Sequence, residues 1–160
     1  MATAVQVLRE VMGRYDDFKG RFAVPGEGGE RAFRSWLVLD LLHHYYRWPS
    51  RLILIGERHD VLLLNSQLFP IITIETKEPR HSVSTKERAI FEQRLAHYTT
   101  LQTAFLTDGF TWVKLRLVAP AGRQTIAAEE EVDIRVTDDL KVNAFLAPLA
   151  AERYTSEIYE

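Results

Sequence analysis

Asp60, Glu75 and Lys77 are the residues whose types and spacing could do chemistry in this chain. They stand in the stretch GERHDVLLLNSQLFPIITIETKEP, residues 56–79. Two apolar, β-rich runs, Val61 to Leu64 and Pro70 to Thr76, flank a turn-forming Asn65-Ser66, so Asp60 and Glu75 fall on neighbouring strands and can meet in space. Side chains alternate along a strand, which sends Glu75 and Lys77 to the same face. Two carboxylates and an ammonium gathered on one sheet face are costly to bury unless they bind something, and the natural ligand is a hard divalent cation. The competing reading is a solvated strand end, where a lysine discourages edge pairing. Against it stand the near-continuous apolar runs Leu62-Leu63-Leu64 and Ile71-Ile72-Thr73-Ile74. That pattern belongs to a sheet covered on both faces, where Glu and Lys are rarely found without a partner.

Mg²⁺, with Mn²⁺ as a substitute, suits this donor set. It prefers near-octahedral oxygen coordination and keeps several waters, so Asp60, Glu75 and one main-chain carbonyl, most simply that of Thr76, are a sufficient protein contribution. Lys77 is not a ligand in this reading. Its ammonium orients a water or stabilises developing negative charge.

The elements that position these residues follow from pattern. An opening helix is predicted from about residue 3 to 18, broken by the Gly/Pro-rich VPGEGG. A second helix, about Glu30 to Tyr46, repeats Phe33, Leu37, Leu41 and Tyr45 at helical spacing and ends before Pro49. Arg51 to Glu57 and Asp60 to Leu64 read as strands, followed by the strand ending at Thr76. A third helix, about Thr85 to Tyr98, carries Ser84 as N-cap and Glu87 three residues on. Ala104 to Thr107 and Phe110 to Val118 are joined by Asp108-Gly109, read as a two-residue hairpin turn. A weaker strand, Glu131 to Val136, and a short helix near Asn143 to Ala151 follow, and Glu129-Glu130-Glu131 reads as a solvated loop.

The chain has 160 residues, 46% of them hydrophobic, which suits one compact domain. It has no cysteine, which excludes disulfides, zinc-thiolate sites and cysteine nucleophiles and makes a cytoplasmic compartment the expectation. No apolar run reaches the length of a membrane span, and Arg9 and Glu10 come too early for a secretory signal. The net charge is −2, unevenly spread: residues 1–98 carry 14 Lys/Arg against 12 Asp/Glu, residues 99–160 carry 6 against 10. Arg31, Arg34, Arg58, Arg80, His81, Lys86, Arg88 and Arg94 are candidates for phosphate contacts, with an ordinary solvated surface as the alternative for each.

The order helix, three strands, helix, strand, with acids at Asp60 and Glu75 and a lysine at Lys77, resembles the PD-(D/E)xK nuclease superfamily. It is most similar to the N-terminal nuclease domain of type I restriction enzyme motor subunits. The resemblance covers roughly residues 25–118. Arg58-His59-Asp60 looks like an R-x-D form of the first motif, and FLTDGFTW, Phe105 to Trp112, is similar to the family's threonine, Asn/Asp-Gly, aromatic hairpin. The resemblance implies a restriction-endonuclease-like α/β fold with a central mixed sheet flanked by helices. It implies Mg²⁺-dependent hydrolysis of DNA phosphodiester bonds, of restriction or defence type, by Asp60, Glu75 and Lys77. Glu30, at the start of the second helix, matches an acid such domains often carry; a first-turn acid favoured by the helix dipole is the equal alternative. Gln93 is similar in place to a glutamine that the family carries in the helix after the acid-x-lysine triplet; with Arg58, Arg80 and Lys86 from the charge pattern it makes up the expected nucleic-acid contacts.

The chain also departs from the pattern. His59 stands where the superfamily's naming proline would be, and the tyrosine that should follow the helix glutamine by four positions, on the same helix face, is Tyr98, five positions after Gln93. No G-x-x-x-x-G-K-[ST] phosphate loop is present, so a separate motor or specificity subunit would have to supply translocation. Two other readings stay open: a nucleic-acid-binding or assembly module of the same fold without cleavage, and a homodimeric repair or junction-resolving nuclease rather than a monomer. Among the remaining residues, no H-E-x-x-H pattern supports zinc catalysis, and Ser82, Ser84 and Thr85 lack the glycines of a nucleophile elbow. Trp36, Tyr45, Tyr46 and Trp48 read as core or interface before base-stacking residues.

Overall fold

A computed structural model of the chain describes residues 1–21, 29–56, 59–79 and 83–160. Helix α1 spans Ala4–Arg21 and buries Val5, Leu8, Val11, Met12 and Tyr15, the apolar stripe of a 3.6-residue period. Helix α2, Gly29–Trp36, runs without a break into a π-helical segment, Leu37–Tyr45. The wider π turn changes the phase of the apolar stripe. Leu37, Leu41 and Leu42 are buried as a helical repeat requires, but Tyr46 replaces the predicted Tyr45 in the core. Trp48 is fully buried and donates its indole N–H to the Leu149 carbonyl at 2.6 Å.

Six strands form one sheet in chain order: β1 Ile53–Leu54, β2 Val61–Leu64, β3 Pro70–Thr76, β4 Thr103–Thr107, β5 Thr111–Val118 and β6 Thr125–Asp133. All neighbours pair antiparallel except β3 and β4, which are parallel. A parallel pair cannot be closed by a hairpin and needs a crossover. Helix α3, Thr85–Arg94, lies in that connection, and a 3-10 turn, Leu95–His97, continues it. Ser84 caps α3 by accepting from the Glu87 amide at 3.1 Å, as predicted. Helix α4, Asp139–Leu146, is capped by Asp138. The sheet is therefore mixed and flanked by helices, and the largest buried side chains, Trp48, Trp112, Phe33, Phe105 and Phe145, come from both.

Several predicted elements are corrected. Only Ile53–Leu54 of the expected Arg51 to Glu57 strand is extended; Ser50–Leu52 is a 3-10 turn, and Glu57 lies outside the described residues. The hairpin between β4 and β5 has three connecting residues, not two, because the Asp108 carboxylate accepts from the amides of Phe110 (3.0 Å) and Thr111 (2.7 Å) and folds the chain into a wider turn. Gly109 meets that turn at φ +92°. Glu129, Glu130 and Glu131 are strand residues of β6, held in register opposite Leu115, Lys114 and Val113, and not a loop. The terminal helix starts at Asp139, earlier than Asn143, because its cap is Asp138.

Candidate active site

The carboxyl ends of β3 and β4, the parallel pair, lie side by side, with Glu75 opposite Leu106, Thr76 opposite Thr107, and the Lys77 amide donating to the Thr107 carbonyl at 2.8 Å. This junction holds most of the residues that the sequence singles out. Antiparallel pairing of Val61 with Ile74 carries Asp60 past the end of β2 and onto the β3 backbone. There its Oδ2 accepts from the Thr76 amide at 2.8 Å and from the Thr76 hydroxyl at 3.1 Å. Hydrogen bonds to main-chain and hydroxyl donors fix the carboxylate without neutralising its charge.

Around Thr76 a second group gathers from α2. Glu30 Oε1 lies 3.4 Å from the Thr76 hydroxyl. Arg34, one helical turn after Glu30, donates to Glu30 at 2.9 Å and to the Thr76 hydroxyl at 3.2 Å, and its guanidinium stands 3.7 Å from Asp60 Oδ1. An i,i+4 pair on one helix is local geometry; its reach to Asp60 depends on how α2 packs over the sheet.

Glu75 faces different partners. Its side chain is only 6% exposed, and Oε1 accepts from Arg94 at 3.2 Å and from Lys77 at 3.5 Å. Glu75 and Lys77 meet as strand alternation requires. Burial pushes the Glu75 carboxyl above the usual carboxylate range and the charge of Asp60 adds to it, while Lys77 and Arg94 pull the other way. An acid that remains hard to ionise between two cations is one that a further positive charge would relieve.

Beside Glu75, its register partner Leu106 lines a groove of about 410 Å³ together with Val83, Arg88, Asp108 and Arg135. Arg88 is paired within the chain to Glu129 and Glu92, and Arg135 to Asp133.

The predicted residues thus fall into two adjoining groups at the end of β3, Asp60, Thr76 and Glu30 with Arg34, and Glu75 and Lys77 with Arg94, near enough for the charge of Asp60 to act on Glu75. Gln93 and Lys86 are exposed on α3 and stand apart from it. Arg58 and Arg80 lie outside the described residues. The α3 side chain that reaches Glu75 is Arg94, adjacent to Gln93, because helix phase turns that position toward β3. Arg34 and Arg94 entered the sequence reading as phosphate contacts; their role as partners of the acids has only one local signal, the Glu30/Arg34 spacing. His59 is buried, with Nδ1 3.2 Å from the Thr73 hydroxyl and its ring against His97 and Tyr98.

The donor set is compatible with a hard cation. Every acid at the junction offers oxygen, the donor type that hard cations take. Among the described residues no group of three or more His, Asp or Glu side chains that could hold a metal ion is found.

No family model matches the chain, and no curated protein matches it. Among solved structures it is similar to a chain in a cryo-EM structure of a DrdV-DNA complex, with a TM-score of 0.53 and 15% identity. The similarity covers 89% of this chain and 13% of that one. At that identity the likeness speaks for the fold alone, and the fold is the expected one: a restriction-endonuclease-like α/β arrangement with a mixed sheet between helices. Among the described residues no helix is long and apolar enough to cross a membrane.

Proposed function

We propose that the chain is a divalent-metal-dependent nuclease domain that hydrolyses phosphodiester bonds of DNA, of restriction or defence type. The observation that carries this reading is that the end of β3 holds Glu75 with Lys77 against it and Asp60 on the Thr76 amide, near enough for the charge of Asp60 to act on Glu75. The likeness in fold to a chain that is bound to DNA supports the choice of substrate.

Asp60 and Glu75 would hold Mg²⁺, with the Thr76 carbonyl as a third donor. When bound, the ion supplies charge neutralisation at the scissile phosphate and a water of lowered pKa. The chain's own residues do the rest. The Thr76 amide and hydroxyl fix the Asp60 carboxylate, so its orientation is set before anything binds. Lys77, 3.5 Å from Glu75, holds its ammonium where it can donate to an attacking water or to a phosphate oxygen. Arg94 offers a second donor on the same side, one that matches a phosphate with two parallel hydrogen bonds.

The test is cleavage of supercoiled plasmid and of single-stranded DNA by the purified protein with Mg²⁺, with Mn²⁺ and with chelator. Metal-dependent cutting that Asp60→Asn abolishes supports the reading. Binding of DNA without cutting under any of these conditions would move the chain to the binding or assembly module of the same fold.

A further inference from the structure

The Arg34 guanidinium, carried by α2, stands 3.7 Å from Asp60 Oδ1. It touches all three oxygen groups there: Glu30 at 2.9 Å, the Thr76 hydroxyl at 3.2 Å and Asp60 at 3.7 Å. Its side chain is 18% exposed and that of Asp60 17%, so solvent screens this cluster less than a surface pair. Its shortest tie is to Glu30 on its own helix, whereas its approach to Asp60 is long and single. That geometry neutralises the acids of the cluster without fastening the guanidinium to Asp60.

We propose that Arg34, held by Glu30, is a resident counter-cation that competes with the divalent ion for Asp60. The inference rests on the nuclease reading, since that reading supplies the ion. A divalent charge placed on Asp60 within a few ångströms of a guanidinium is repelled by it, so loading the site requires Arg34 to swing away. Until it does, the carboxylates are paired and the fold is stable without metal. Metal affinity is then set by the difference between the Arg34-in and Arg34-out states, and an ion can shift that equilibrium only through its preference for the second. The alternative role for the same contacts is scaffolding, in which Arg34 holds Glu30 and Asp60 in position for the ion. The two roles predict opposite effects of removing the charge.

The experiment is calorimetric titration of Mn²⁺ into the wild type, Arg34→Gln and Arg34→Lys in the absence of nucleic acid, with melting temperatures in chelator and in Mn²⁺. Competition predicts that Arg34→Gln binds Mn²⁺ roughly tenfold more tightly, within the usual range of such couplings. It also predicts that this variant melts lower than the wild type in chelator, recovers on addition of Mn²⁺, and that Arg34→Lys, which keeps the charge, stays near the wild type. Equal or weaker Mn²⁺ binding by Arg34→Gln overturns the inference and leaves Arg34 a scaffold. Absence of binding by the wild type and by both variants overturns the metal reading itself, and the inference with it. Should Arg34→Gln melt below the titration temperature, Arg34→Met keeps the packing of the stem and carries the same expectation.

Discussion

Replacing Glu75 by Gln should make the metal-free protein more stable, although Glu75 is central to the proposed chemistry. The side chain is buried, and its pKa is raised by burial first and by Asp60 second, against the pull of Lys77 and Arg94. A carboxyl whose folded pKa lies above its unfolded value ionises less readily in the folded state. Its ionisation therefore costs nothing below the unfolded pKa, costs progressively more as pH rises toward the folded pKa, and costs a constant amount above it. The carboxylate is under that load at neutral pH, so removing its charge relieves the folded state there and not at low pH. Gln keeps the shape and an acceptor oxygen for Lys77 and Arg94 while removing the charge. For a chain of this size 1 kcal/mol moves the melting temperature by about 2–4 °C. The assay is thermal melting of both proteins in chelator across pH 4 to 8. Glu75→Gln should melt higher at pH 7 to 8, with the gap closing toward pH 4. Saturating Mg²⁺ should reverse the order, since binding at 100 times Kd stabilises the wild type alone by about 2.7 kcal/mol. Loss of stability in metal-free Glu75→Gln at neutral pH would refute the reasoning and make Glu75 an ion-pair anchor for Arg94 rather than a site under electrostatic load.

Two further expectations concern the frame around the site. Gly109→Ala should cost at least 1–2 kcal/mol in urea denaturation, from the positive φ alone, because φ is +92° and the new methyl would also meet Met12 at 2.6 Å; a neutral effect would mean that the β4/β5 turn has another conformation. Trp48→Ala should lose about 3–5 kcal/mol, since the indole is fully buried and bonded to the Leu149 carbonyl; a loss under 1 kcal/mol in the same assay would contradict the packing of the π-helical segment against the C-terminal region.

The parts of this protein that can be read from sequence are those fixed by local pattern. β3 begins at Pro70 and ends at Thr76 as read, because an unbroken apolar run bounded by a turn and by charges leaves little choice. The Ser84 cap is equally local. The strand read from Glu131 to Val136 meets β6 only at its last three residues, Glu131 to Asp133, because seven of the nine residues of β6 are exposed and include alanines and glutamates of poor strand propensity; pairing with β5 makes the rest a strand. The π turn escapes because its phase change appears only when Tyr46, rather than Tyr45, must fill the core. At the site, the meeting of Asp60 with β3 follows from hairpin pairing and is legible. The contacts of Arg34 and Arg94 with the acids depend on how α2 and α3 sit over the sheet, and neighbouring positions such as Gln93 and Arg94 cannot be told apart before helix phase is known.

The measurement that bears most directly on the central claim is single-turnover cleavage of supercoiled plasmid in Mg²⁺ by the wild type and by a folded Lys77→Ala protein, alongside Mn²⁺ affinity of each by calorimetry. The account predicts metal-dependent cutting by the wild type, a fall of roughly 10²–10³-fold in the variant as for loss of a donor at developing charge, and Mn²⁺ affinity changed by only a few-fold, because Lys77 is not a ligand. Cutting at the wild-type rate by Lys77→Ala, or no metal-dependent cutting by the wild type, would contradict it.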